Sequence, residues 1–222
     1  MRTKLNKRHL LDHLRRASKA HLLDLLDQAF ESMSTADRHA VFGETMRSAR
    51  KQAVDGPVLL GEVEAFCRES RQGAFYAPFS MNSKNYTHVP EATSLWFDRL
   101  GDFLADSAEL SKAGGHDLAV KCFGELYEII AEMEQGDEIV FAHEFGTWMI
   151  PGGEGMFLKH YLASLAATCD DDSFAAAALP LVKRDSRGSF VDQVYGNAKS
   201  VATKGQMSAL DKQIKAHKVR MA

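Results

Sequence analysis

The chain has 222 residues, enough for one sizeable domain or one continuous array of small units. Its 45% hydrophobic content is ordinary for a globular chain, and no apolar run approaches the roughly 18 residues that cross a bilayer. A membrane-spanning role is therefore excluded, and no membrane partner is expected. The net charge of −3 hides an uneven distribution. Residues 1–19 carry seven Lys or Arg against Asp12, and residues 196–222 carry six against Asp211, which leaves −14 on residues 20–195. Basic ends flanking an acidic body can be nucleic-acid arms, or terminal helices that fold back on the middle. Neither end holds an aromatic residue for base stacking.

Almost every segment follows the 3.6-residue period, and alternating Val, Ile or Thr runs are missing. Residues 5–16 place Leu10, Leu11 and Leu14 on one face. Ser18 caps a second helix bearing Leu22, Leu23, Leu25, Leu26, Ala29 and Phe30, and Ser34-Thr35-Ala36-Asp37 opens a third with Val41, Phe42, Met46 and Ala49. Gly56-Pro57 starts the next helix, because proline in the first turn loses no needed hydrogen bond. That helix carries Leu59, Val63, Phe66 and Cys67 and ends near Gly73. Residues 73–89 form a long irregular stretch that nonetheless holds four aromatics, Phe75, Tyr76, Phe79 and Tyr86.

From Pro90 to Met149 the pattern is a helical hairpin. Trp96, Phe97, Leu100, Phe103, Leu104 and Ala108 recur at spacings of three and four, as do Leu118, Ala119, Cys122, Phe123, Leu126, Ile130 and Met133. Gly114-Gly115 turns the chain between them. A short apolar helix is expected from Asp137 to Met149, closed by Pro151-Gly152-Gly153. A helix over 154–168 follows, then an alanine-rich one capped by the Asp170–Ser173 stretch, in which Pro180 should kink or restart the helix. Two further stripes, Phe190 to Val201 and Met207 to His217, complete about ten or eleven helices with short connections. The expected fold is all-α: antiparallel hairpins stacked as a right-handed superhelical array over residues 1–222, in a single domain.

Two resemblances carry the same message. The stretch Gly114-Gly115-His116-Asp117-Leu118-Ala119-Val120-Lys121-Cys122-Phe123 is similar to the turn and second helix of a tetratricopeptide unit. There a small residue, here Ala119, is followed four positions later by an aromatic, here Phe123. The match covers half a unit, and the first helix is longer than the repeat requires. Over 73–169 the order of aromatic loop, long helix, glycine turn, second helix and Gly136-Asp137-Glu138 step resembles the helical region downstream of SWIM-type zinc fingers in some bacterial proteins. The zinc-finger ligands have no counterpart in this chain. The resemblance implies a helical-repeat fold and transfers no catalytic or metal residue.

Few residue groups suggest chemistry. His143 and Glu144 lie in the apolar run IVFAHEFGTWM, where a buried histidine and carboxylate need partners, either in a site with His116 or His160 or simply in the core. His9 and His13 are four apart but lack a third metal ligand, so no metal is expected. Pro151-Gly152-Gly153-Glu154-Gly155 reads as a turn, since Glu154 would repel a phosphate. Cys67, Cys122 and Cys169 are an odd number without close spacing, which suits buried thiols in a reducing compartment. With the basic N-terminus interrupted too often by charge for a signal peptide, a cytoplasmic location is expected. The aromatics Phe75, Tyr76, Phe79 and Tyr86, with Trp96 and Tyr127, are the candidate binding residues. The expected function is a non-enzymatic module, without a cofactor, binding a protein or peptide partner. The alternatives are nucleic-acid association through the basic ends and an enzyme centred on His143 and Glu144.

Overall fold

The computed structural model describes residues 7–34, 38, 41–42, 54–80, 82–83, 85, 88–141, 149–151, 153–185 and 193–219. Among these the regular structure is helical, with no strand, as the periodicity requires. In chain order the helices are α1 (Lys7–Leu14), α2 (Lys19–Ser32), α3 (Gly56–Arg71), α4 (Glu91–Lys112), α5 (His116–Gln135), α6 (Glu154–Thr168), α7 (Asp171–Asp185), α8 (Gln193–Val201) and α9 (Lys204–Ala216). Of the helix expected from Ser34, only residues 38, 41 and 42 are described, all three helical. The chain divides into two compact units, Met1–Gln52 and Ala53–Ala222.

The first unit holds α1 and α2. Ser18 caps α2 by accepting the His21 amide hydrogen bond at 3.2 Å. The α2 stripe contains no buried residue. At its C-terminal end Arg38 stacks 4.6 Å over the Phe30 ring and donates to the Phe30 carbonyl at 2.7 Å.

In the second unit Asp55 caps α3 through the Val58 amide, and Pro57 occupies the first turn. Two glycine stops set the hairpin lengths. Gly114, at φ 86°, ends α4 with its amide on the Ser111 carbonyl and the Gly115 amide on Leu110. Gly136, at φ 94°, ends α5 the same way on Met133, with Asp137 on Glu132. Both sites need a left-handed residue, which glycine adopts without steric cost.

Side-chain contacts give the helix directions. Along α3, Cys67 meets Glu125 and Arg71 meets Glu132, so α3 and α5 run parallel. Gly101 lies against Pro151 while Ser111 meets His160, so α4 and α6 also run parallel. α5 and α6 are antiparallel: Phe123 and Tyr127 stack on Tyr161 while His116 reaches Ser164. Each of these helices packs on its chain neighbour, and α3 also packs on α5, α4 on α6, α6 on α8 and α7 on α9. Phe66, Trp96, Phe97, Phe123, Phe157 and Phe174 are fully buried between them. Hydrophobic burial on this scale is the main stabilising contribution.

Two local expectations are corrected. The expected helix does not begin at Asp137: Glu138 to Phe141 form a turn and bend that buries Ile139 and Val140, residues 142–148 lie outside the described residues, and Met149 sits in a 3-10 turn. Thr93 ties it to α4 by donating to the Phe141 carbonyl at 2.6 Å. Pro180 does not restart the helix either, since α7 extends through it to Asp185. Ala176, whose carbonyl loses its donor at that proline, is exposed, so water can satisfy it, while Phe174, Ala175, Ala178 and Val182 hold the inner face in the core.

Candidate interaction site

The aromatic residues expected to form one binding surface separate into two groups. Trp96 is fully buried, donating its indole hydrogen to Ser70 Oγ at 2.9 Å and packing 5.8 Å from the Phe66 ring. Phe75 is buried 5.7 Å from the same ring. Tyr127 is 5% exposed and stacks on Tyr161 at 5.6 Å and 9°. These three are core residues, and the expected groove of Tyr76, Phe79, Trp96 and Tyr127 does not form. Tyr76 and Phe79 are half-buried and pack on Phe141, at 6.1 and 5.2 Å, with His88 also 5.2 Å from Phe79. The loop therefore closes over the turn after α5, two residues before His143. His143, Glu144 and Tyr86 themselves lie outside the described residues.

The other polar candidates are part of packing. His116 Nδ1 lies 3.2 Å from Ser164 Oγ, Ser164 donates to Ser111 at 2.7 Å, and Ser111 donates to the His160 carbonyl at 3.2 Å. That chain is closed, and Ser164 is fully buried, so its hydroxyl is a helix–helix tie rather than a nucleophile. Burial, with Lys112 nearby, holds the His160 imidazole below its usual titration range. Cys67 and Cys122 are buried thiols pushed up to about 12 and about 11, chiefly by desolvation, which makes them poor nucleophiles. Among the described residues no three His, Cys, Asp or Glu side chains converge as metal ligands. His13 is exposed on α1.

A feature that the periodicity did not disclose lies where α3 and α5 run side by side. A cleft of about 650 Å³ opens there, lined by Leu60 and Glu64 from α3 and Lys121, Gly124, Glu125 and Glu128 from α5. Leu60 supplies an apolar side chain to the lining, and Gly124 contributes backbone. One turn further along, Arg71 bonds Glu132 through Nε at 3.0 Å and Nη2 at 2.8 Å, and lies 3.6 Å from Glu125 and 3.5 Å from Glu128. The Glu132 hydrogen bonds raise the already high Arg71 pKa further. Four carboxylates thus share two cations along one surface, and Glu128 keeps 64% of its side chain exposed. The sequence shows the acidic body but not this arrangement, because it depends on pairing residues 61 positions apart.

A second ionic group sits at the α5–α6–α7 junction. Arg184 is clamped between Glu134, at 2.8 and 2.9 Å, and Glu154, with its guanidinium 5.8 Å from the Tyr127 ring. Burial alone would lower the Arg184 pKa, but its bonds to both carboxylates raise it above its usual value. The Tyr127 hydroxyl is buried beside this pair with no hydrogen-bond partner among the described residues. No helix among the described residues is long and apolar enough to cross a membrane. No protein-family model matches this chain, and neither a curated protein nor a solved structure is detectably similar to it.

Proposed function

We propose that this chain is a non-enzymatic helical-repeat interaction module acting in the cytoplasm. Residues 53–222 are read as a right-handed, tetratricopeptide-like superhelical array, and the α3–α5 cleft as the place where a cationic, amphipathic peptide segment of a protein partner binds. The parallel pairs α3–α5 and α4–α6, each separated by an antiparallel helix, support the repeat reading. It agrees with what the resemblance to the region downstream of SWIM-type zinc fingers implies.

The observation that carries the binding reading is the excess of carboxylates in a cleft that also holds an apolar side chain. Glu64, Glu125 and Glu128 line it with Leu60 and the backbone of Gly124, while Arg71 is drawn most closely to Glu132. A lysine or arginine beside a leucine-sized side chain matches this lining in charge and in polarity. Complementary charge of this kind sets association rate and partner choice more than raw affinity.

The test is fluorescence anisotropy with two labelled twelve-residue peptides, one alternating Leu with Lys and Arg, the other alternating Leu with Glu. The cationic peptide should bind, and Glu125→Gln with Glu128→Gln should weaken it by roughly tenfold, as should raising the salt past a Debye length of about 3 Å. Equal binding of both peptides, or no effect of the paired substitution, refutes the cleft as the site. A pull-down from native lysate that returns no partner displaced by the cationic peptide counts against the interaction module itself.

A further inference from the structure

Arg71 sets a cation of this chain against two carboxylates of its own cleft. It stands at the C-terminal end of α3 and bonds Glu132 through Nε at 3.0 Å and Nη2 at 2.8 Å. Its Nη1 lies 3.6 Å from Glu125 and its Nη2 3.5 Å from Glu128, and both of these residues line the cleft. Neither contact is a hydrogen bond, and among the described residues nothing accepts one from Nη1. The two sides of the guanidinium therefore differ in what they supply. The Glu132 bonds tie α3 to α5, because two-point, charge-assisted contacts are the strong ones. The Glu125 and Glu128 contacts add little to stability, since Arg71 and Glu125 each keep 37% of the side chain exposed and Glu128 keeps more. What they change is charge. Glu64, Glu125, Glu128 and Glu132 face Lys121 and Arg71 along this surface, so Arg71 cuts its net charge from −3 to −2.

We infer, on the reading of this cleft as a peptide site, that Arg71 is its built-in competitor: the Nη edge shields Glu125 and Glu128 until a partner's cations displace it, while Nε stays on Glu132. Displacement needs only a small rotation of the guanidinium, because the Nη1 side is exposed and carries no hydrogen bond to break. Glu125 and Glu128 are three residues apart on α5 and so face the same side of the helix. Two cations of a partner, about one turn apart, meet them as a pair. A ligand that does not reach both carboxylates leaves Arg71 in place on the other. Arg71 thereby lowers the affinity of every cationic segment and costs weak ones their binding first, which is how a like charge placed at a site suppresses wrong partners.

Fluorescence anisotropy with the cationic Leu–Lys/Arg peptide and the full chain tests this. Arg71→Gln should tighten binding by about fivefold, the scale of two exposed ion-pair contacts. In the background of Glu125→Gln with Glu128→Gln the same change should alter binding by no more than about twofold, whereas an arginine acting through overall charge keeps its effect there. Lys112→Gln removes an exposed cation that pairs with Glu109 on α4 and should leave binding unchanged. The unchanged chain supplies a reading that needs no variant: the Arg71 side-chain NMR signals should shift as the peptide is added. Four results overturn Arg71 as the competitor and leave the cleft reading standing. They are no gain in Arg71→Gln, a gain that persists without the Glu125 and Glu128 carboxylates, an equal gain in Lys112→Gln, and Arg71 signals that stay fixed while the peptide binds. Binding detected in Arg71→Gln alone supports the inference, as complete shielding. Failure of the peptide to bind either the unchanged chain or Arg71→Gln removes the cleft reading, and this inference with it.

Discussion

Replacing Tyr127 by Phe removes one oxygen from the centre of the second unit, and the structure determines what that should do. Among the described residues the hydroxyl is buried without a hydrogen-bond partner, whereas the ring stacks on Tyr161 at 5.6 Å and faces the Arg184 guanidinium at 5.8 Å. Phenylalanine keeps the ring and its contacts. A buried polar group left unpaired costs about 1–3 kcal/mol, so Tyr127→Phe should stabilise the fold by roughly 1–2 kcal/mol once the slightly looser packing is counted. For a unit of this length a change of 1 kcal/mol moves Tm by about 2–4 °C, which puts the expected rise at roughly 2–8 °C. Tyr127→Ala, which deletes the ring, should instead cost about 3–5 kcal/mol. Thermal unfolding by circular dichroism and urea denaturation measure both. A loss of about 1 kcal/mol or more in Tyr127→Phe would refute the reasoning, because it would mean that the hydroxyl has a partner such as an ordered water shared with Glu154.

Three further outcomes are expected. Ser70→Ala should destabilise by about 1–3 kcal/mol in urea, because Ser70 Oγ is the acceptor for the buried Trp96 indole hydrogen at 2.9 Å. Gly136→Ala should cost about 1–2 kcal/mol, since alanine at φ 94° meets the left-handed penalty, and the same assay reads it. Stability should also fall as pH rises above 9. The Cys67 and Cys122 thiols ionise at about 12 and about 11 in the fold against 9.0 in the unfolded chain, so their contribution is complete below pH 9 and is lost as pH climbs through those values. Between pH 9 and 10, below the ordinary tyrosine range, Cys67→Ala with Cys122→Ala should flatten that decline. An unchanged slope in urea midpoints would contradict the burial argument.

The helices were legible because their ends are written locally. Ser18, Gly114, Gly136 and Asp170 each act on an amide or carbonyl within about one turn, Pro57 suits a first turn that needs no amide hydrogen, and the stripes of α4 and α5 needed only their own spacing. The site was less legible because periodicity says that a face is covered without saying by what. Trp96 and Tyr127 are aromatics of the kind that dominate interfaces, yet α3 covers one and α6 the other. Ile139 and Val140 fit a helix or a turn equally well, since a short apolar run has no period of its own. The cleft beside Leu60 depends on α3 lying along α5, as does the Arg71–Glu132 pair near it, and no window along the chain contains that pairing. Pro180 does not end α7 because it stands on the exposed side of the helix, which tolerates what the buried side would not.

Neighbour-only packing in the second unit has a kinetic consequence. When most helices rest on the next or the next but one, contacts close short loops and the entropic barrier to forming them is small. Folding can then start at the best-buried pair, α4 with α5, and spread outward in both directions as each new helix finds a completed surface. Loss of order should run the other way. The end formed by α8 and α9, joined to the body through α6 and α7, should exchange its amide protons soonest, with protection rising toward Trp96 and Phe123.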